Sequence, residues 1–296
     1  MRRLVETELP VDLRLTLGPL RRGGGADPCV RIDPGGVWWA GWWPGGAATT
    51  RLRSLGPRRV EVRAWGPGAA DALDAAPDLL GATDGDGDLP RSDHAVVRSM
   101  ARGRPGLRLG RTGNVLEALV PTILEQKVQG RSARASFCAM VRAHRRPAPV
   151  PDEPGAPRLL LPPTARWLVE QPSWAWHRWG VEGRRATTIR AAASVADRLT
   201  SPARLRVLPG VGVWTAAEVA ATAFGDPDAV SVGDYWLKHW VCHTLAGEVR
   251  GTDDRMLELL RPWAGQRGRL CRLVMVAGAA PPRFGARLAM QPIRDL

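Results

Sequence analysis

One carboxylate and one glycine turn are the residues of this sequence best placed to do chemistry. Leu208-Pro209-Gly210-Val211-Gly212-Val213-Trp214-Thr215-Ala216 sets two glycines around an apolar residue after a proline, and a helix-forming run, Ala216 to Ala223, follows at once. Glycine lets the backbone turn sharply and approach a ligand closely. The helix starting there aims unpaired N–H groups and the positive end of its dipole at the turn, which suits an anion such as a DNA phosphate. Further on stands one acid, Asp234, in Ser231-Val232-Gly233-Asp234, between two apolar helical runs. A carboxylate close to a sugar C1′ stabilises the cation formed as a base departs, and can activate or orient a water. Asp is also a preferred helix N-cap and Tyr235 opens a helical run, so a capping role stands beside the catalytic one.

This pair of motifs resembles the helix-hairpin-helix–Gly/Pro/Asp (HhH-GPD) superfamily of DNA glycosylases, and within it the 3-methyladenine DNA glycosylase II type. Two further stretches extend the resemblance. Ile123-Leu124-Glu125-Gln126-Lys127-Val128 is similar to the Gln-containing helix start near the lesion, and Trp179-Gly180-Val181-Glu182-Gly183-Arg184-Arg185-Ala186 is similar to the Gly-x-x-x-x-[Arg/Lys]-Ala helix start. The likeness spans about residues 110–280; the first ninety resemble the leading β-rich domain of that type only loosely.

The resemblance implies roles for individual residues. Asp234 would be catalytic. Trp214 stands where strand-cutting members carry a Schiff-base lysine, so the enzyme would be monofunctional and use water. Trp214 would line the base pocket with Gln126; the alternative for Trp214 is a buried core residue. Gly210, Gly212 and Thr215 would present backbone N–H groups to a DNA phosphate. The carbonyls of Arg206, Leu208 and Val211 would hold a structural sodium or potassium ion, the one cofactor implied. Three positions depart from the pattern. Lys127 occupies the usually apolar wedge position, as a gap-filling stem or as a solvated surface charge. Glu218 and Met275 replace pocket aromatics, which hold cationic alkylated bases by stacking and cation–π attraction. Glu218 either pairs with a cationic base or lies on an exposed helix face.

Composition agrees with a polyanionic partner. The formal charge is +13. Residues 1–90 carry eleven Arg against twelve acids, whereas residues 91–296 carry 31 Lys and Arg against 17 acids, so the hairpin region is the basic one. The 40 Arg against two Lys also fit a GC-rich coding bias. Cys29, Cys138, Cys242 and Cys271 have no CxxC or iron–sulfur spacing, which points to buried reduced thiols. The Asp84-Gly85-Asp86-Gly87-Asp88 run lacks the Gly and Glu of a calcium loop, and His239 and His243 have no third ligand placed beside them. With no signal peptide and no long apolar span, a cytoplasmic protein is expected, a monomer associated with the nucleoid through DNA.

These residues need a frame. Val11–Leu17, Cys29–Ile32, Val37–Trp43, Thr49–Leu55 and Arg58–Trp65 alternate apolar and polar residues and predict strands, broken by Asp33-Pro34-Gly35-Gly36, Pro44-Gly45-Gly46 and Gly56-Pro57. From residue 91 the period becomes helical, with a Pro-rich loop from Pro147 to Pro163. The expected fold is α+β: a small antiparallel β-rich domain over residues 1–90, then an all-α helix-hairpin-helix glycosylase domain over 91–296. The expected function is excision of damaged, alkylated purines from double-stranded DNA to initiate base excision repair. The alternatives are a non-catalytic hairpin DNA-binding protein and a glycosylase for mismatched or deaminated bases.

Overall fold

The computed structural model describes residues 1–151 and 153–282. Five strands form one antiparallel sheet: β1 (Arg2–Glu6), β2 (Val30–Asp33), β3 (Gly36–Trp43), β4 (Gly46–Gly56) and β5 (Arg59–Trp65), in the order β1-β5-β4-β3-β2. The predicted turns fall between consecutive strands, and Val37, Leu52, Val60 and Val62 bury one face of the sheet completely or nearly so. One expectation is corrected and one strand is added. Val11–Leu17 is not a strand: its second part forms the short helix α1 (Leu13–Leu17), because Asp12 accepts hydrogen bonds from the N–H groups of Arg14 (2.8 Å) and Leu15 (3.1 Å). Leu13 and Leu17, four apart, then share the buried face that strand alternation would also have explained. Strand β1 was missed because it is an edge strand with only Val5 buried, so no alternation shows.

After α2 (Ala69–Asp74) and α3 (Ala76–Leu79), the chain is helical: α4 (Ala95–Gly103), α5 (Val115–Leu124), α6 (Gly130–His144), α7 (Ala165–Glu170), α8 (Ser173–Arg178), α9 (Gly183–Ser194), α10 (Pro202–Leu205), α11 (Val213–Val219), α12 (Leu237–Ala246), α13 (Asp253–Leu260) and α14 (Arg267–Ala277). Caps explain several boundaries. Asn114 accepts the Glu117 N–H at 3.1 Å to start α5, Thr252 accepts the Arg255 N–H at 3.1 Å to start α13, and Gly247 ends α12 with φ +70°. Among the described residues no helix is long and apolar enough to cross a membrane.

Two large apolar cores hold most of these elements, and a smaller cluster of Trp38, Ala40, Ala148, Leu159 and Leu161 packs the Pro-rich loop on the sheet. The first joins the inner face of the sheet to α5, α6, α9 and α11 through residues such as Val37, Leu52, Leu119, Ile123, Met140, Ile189 and Val219. The second gathers Val97, Met100, Val241, Met256, Leu260, Leu270 and Val274 from α4 and α12–α14. Where the sheet meets α5, Glu117 is partly buried and accepts the Trp42 N–H at 3.1 Å; desolvation pushes its carboxyl up to about 8, with the Trp42 bond pulling the other way. All four cysteines are buried and free. Of the tryptophans, Trp38, Trp39, Trp176 and Trp179 are buried, whereas Trp174 is exposed. Asp84, in the acidic run, is occupied by the Arg269 guanidinium and the Leu109 N–H.

Candidate active site

The hairpin is α10, the turn through Leu208–Gly212, and α11. Gly210 has φ +86°, and a Cβ there would lie 2.3 Å from Thr188 Oγ1 on α9, so both backbone and packing require glycine. Gly212 differs. It starts α11 with its carbonyl accepting the Ala216 N–H at 3.0 Å, and a Cβ on it would meet nothing within 4 Å. Gln126, just past α5, locks the turn: its side-chain amide donates to the Gly210 carbonyl (2.9 Å) and the Thr215 hydroxyl (2.8 Å). Thr215 is buried, and its hydroxyl is engaged by Gln126. Lys127 follows at φ +54° and is exposed beside this junction.

Asp234 sits in a tight turn, its N–H donating to the Ser231 carbonyl at 3.1 Å and Gly233 at φ +89°. Its two carboxylate oxygens face different partners. Oδ1 accepts the N–H groups of Trp236 and Leu237, both at 2.8 Å, and so caps the start of α12. Oδ2 accepts the Trp214 indole N–H at 3.2 Å. The capping geometry and an oxygen turned towards Trp214 therefore coexist in one side chain. Exposed Tyr235 and Trp236 flank it, their rings edge to face at 4.8 Å.

Beside Asp234 opens a cavity of about 290 Å³ between the two cores. Asp234, Glu218 and Met275 line it; Trp214 and Gln126 do not. Trp214 instead meets Asp234, and the amide of Gln126 is engaged by the hairpin. After α11 the helix widens into a π-helical stretch, Ala220–Phe224, and Ala221 and Thr222 of that stretch also line the cavity. Among the described residues that line it, none is aromatic. The Ser231 hydroxyl donates to Glu218 Oε1, which fixes this carboxylate towards the cavity rather than the helix surface.

Three charged groups escaped the sequence reading. Arg272 lines the cavity and donates to the Leu15 carbonyl at 2.9 Å; burial lowers its pKa and the Glu218 carboxylate opposes that. Its position three before Met275 on α14 puts both on one helix face, a periodicity that could have found it. Glu125 is held up by burial, with Glu218 and Asp234 adding to the rise and Arg22 and Arg134 opposing it. Arg22 lies 3.9 Å from Glu125 and donates to Thr222 at 3.2 Å, so it ties the loop after α1 to the cavity wall. Lys238, the lysine nearest Asp234 in sequence, has its ammonium 3.2 Å from Asp253. The paired histidines gain no metal role: His239 Nδ1 accepts the Gly251 N–H at 3.1 Å, and no cluster of three metal-binding side chains occurs among the described residues.

Solved structures share this fold over most of the chain. A 3-methyladenine DNA glycosylase from Archaeoglobus fulgidus superposes with a TM-score of 0.75, over 93% of this chain and 98% of that one, at 16% identity. An 8-oxoguanine glycosylase/lyase from Clostridium acetobutylicum gives 0.69, over 94% and 96%, at 12% identity. The chain has the helix-hairpin-helix DNA glycosylase fold. In sequence it is 30% identical over 201 residues to the probable bifunctional transcriptional activator/DNA repair enzyme AlkA of Mycobacterium tuberculosis, a match covering 64% of this chain and 35% of that protein. The aligned part is thus about a third of that curated relative's length. No protein-family model matches the chain. The resemblance to the HhH-GPD superfamily, 3-methyladenine II type, is carried by this sequence match together with the shared fold.

Proposed function

We propose that this HhH-fold protein is a monofunctional DNA glycosylase that flips a damaged, alkylated purine out of double-stranded DNA and removes it by hydrolysis, initiating base excision repair. The observation that carries the reading is Asp234 at the wall of a base-sized cavity, with the phosphate-gripping hairpin joined to it through Trp214. The backbone N–H groups of Gly210, Gly212 and Thr215 hold a DNA phosphate at the start of α11, and Lys127 enters the gap left by the extruded base. The C1′–N bond then breaks with its electron pair leaving on the base. Alkylation at N3 or N7 makes the purine cationic, so it departs neutral. Asp234 faces the sugar cation, and water adds to C1′ while its proton passes to the carboxylate. Trp214 offers no amine, so no Schiff base forms and the product is an intact abasic site. The carbonyls of Arg206, Leu208 and Val211 are hard oxygen donors that would suit a sodium or potassium ion, with the Leu208 carbonyl already accepting the Val211 N–H at 3.1 Å. Bound there, such an ion would add positive charge beneath the phosphate.

The test is single-turnover base release from duplexes carrying single lesions, read with strand integrity and borohydride trapping. Release of N3-methyladenine or N7-methylguanine, little release of hypoxanthine or uracil, and no nick or trapped complex are expected. Equal or better release of the neutral bases overturns the substrate assignment. A borohydride-trapped complex overturns the monofunctional one and directs attention to Lys127.

A further inference from the structure

We propose that Glu218 and Arg272 read the Watson–Crick edge of the extruded base, so that the cavity favours guanine-derived lesions, N7-alkylguanine foremost, over N3-alkyladenine. This rests on the glycosylase reading above and assigns the base that the same cavity holds. Among the described residues that line the cavity none is aromatic, so polar groups on those walls are the ones that can select the base. What it does offer is charge: Glu218, Asp226 and Asp234 with Arg108 and Arg272 line it, and of these Arg108 donates to the carbonyls of Asp84, Gly85 and Pro105 and Asp226 accepts the Asp228 N–H at 2.8 Å. Glu218 on α11 and Arg272 on α14 both line it, and each is held by a hydrogen bond: Glu218 by the hydroxyl of Ser231, which also lines the cavity, and Arg272 by the Leu15 carbonyl at 2.9 Å. They also sense each other, since the Glu218 carboxylate counters the effect of burial on Arg272. The guanidinium keeps further N–H donors beyond the one used on Leu15, and the carboxylate keeps further lone pairs beyond the one used by Ser231.

That pair distinguishes the purines. A carboxylate only accepts hydrogen bonds. Guanine presents two adjacent donors, N1–H and the 2-amino group, next to the O6 acceptor. Glu218 can accept from both donors while Arg272 donates to O6. Adenine presents its 6-amino donor next to the bare N1 lone pair, which a carboxylate would repel. Alkylation at N3 leaves that lone pair in place. Alkylation at N7 of guanine leaves all three edge groups in place, and its positive charge strengthens the N1–H as a donor. Enzymes that act on extruded bases read this edge in the same manner. The Asp234 carboxylate on the same cavity wall adds attraction for a cationic base.

Duplex DNA treated with dimethyl sulfate carries N7-methylguanine and N3-methyladenine in the same molecules, so both compete under one condition. Free bases released by wild-type protein, Glu218→Gln, Arg272→Met and Asp234→Asn are quantified by chromatography, each as the enhancement over spontaneous loss. The wild type should enhance N7-methylguanine release more than N3-methyladenine release. A glutamine offers one donor and one acceptor, which fits the adenine edge, so Glu218→Gln should shift the ratio roughly ten-fold towards adenine. Arg272→Met removes the donor to O6 and should lower the ratio independently, which keeps the test decisive should either variant fold poorly. A wild type that favours N3-methyladenine, or a ratio unmoved in folded variants that still release bases, overturns the edge-reading assignment and leaves the glycosylase reading intact. Release of neither base above the Asp234→Asn background overturns the glycosylase reading itself.

Discussion

Replacing Asp234 by Asn separates the two jobs that the structure gives this side chain. The substitution keeps an oxygen in the Oδ1 position, so the N–H groups of Trp236 and Leu237 retain their acceptor. What changes lies at Oδ2. An amide NH₂ there faces the Trp214 indole N–H as donor against donor, where the carboxylate had accepted at 3.2 Å. One lost partially exposed hydrogen bond costs about 1 kcal/mol, which for a chain of this size lowers the melting temperature by about 2–4 °C. Catalysis loses far more. Two unit charges about 4 Å apart interact by about 4 kcal/mol at an effective dielectric constant of about 20, and that attraction exists only once the sugar has become cationic. The rate of base release should therefore fall about a thousand-fold. Duplex affinity should hold or tighten slightly, because a charge that repels phosphates is gone. The assay combines single-turnover release of methylated bases, fluorescence anisotropy on undamaged duplex and thermal melting. Wild-type turnover in the variant refutes the catalytic role outright. A rate loss matched by an equal loss of affinity or by gross destabilisation refutes it too, since capping of α12 alone would then account for it.

Three other outcomes follow from the same geometry. Gly212→Ala should melt like the wild type, because its Cβ enters open space, yet weaken binding to damaged and undamaged duplex alike; loss confined to lesion DNA would mean that the turn lines the base site instead of gripping the backbone. Gly210→Ala should lower stability as well as affinity, by about 1–3 kcal/mol for backbone strain alone at φ +86°, with the Thr188 contact adding to it; an unchanged melting temperature would contradict the tight packing on α9. Glu117 makes stability depend on pH: with its carboxyl raised from 4.5 to about 8, the folded protein holds a proton that the unfolded chain has released, so stability falls as pH climbs through this window, by an amount on the order of a few kcal/mol. Glu117→Gln should flatten that slope in urea unfolding measured from pH 5 to 8, and an equally steep slope in the variant would show that Glu117 is not its source.

Local chemistry made much of this protein legible in its sequence. A helix or a strand is declared by its own apolar period, and the run Val115–Leu124 coincides with α5 because Asn114 caps it and every turn of it is apolar. The hairpin was readable for a similar reason: a left-handed turn needs glycine, and Gly210 at φ +86° is that requirement written in the sequence. The motif also marked Asp234, whose capping bonds involve only residues two and three positions away. Where local signals were ambiguous the reading failed, as in Val11–Leu17, whose leucines satisfy either period, and in β1, whose edge position leaves it little apolar pattern.

The tertiary structure decided what these parts face. The link from Asp234 to Trp214, and the spending of Gln126 on the hairpin rather than on the cavity, are contacts between segments 20 and more than 80 residues apart. Glu218 had two open readings in the sequence; only the packing of Ser231 against it turned the carboxylate inward. Arg272 became visible when α14 packed beside the loop after α1, bringing its guanidinium to the Leu15 carbonyl across more than 250 residues of chain. Helical and strand periods report only which side of an element is buried. Which charged groups share one cavity depends on how the two cores meet, and no local pattern encodes that meeting.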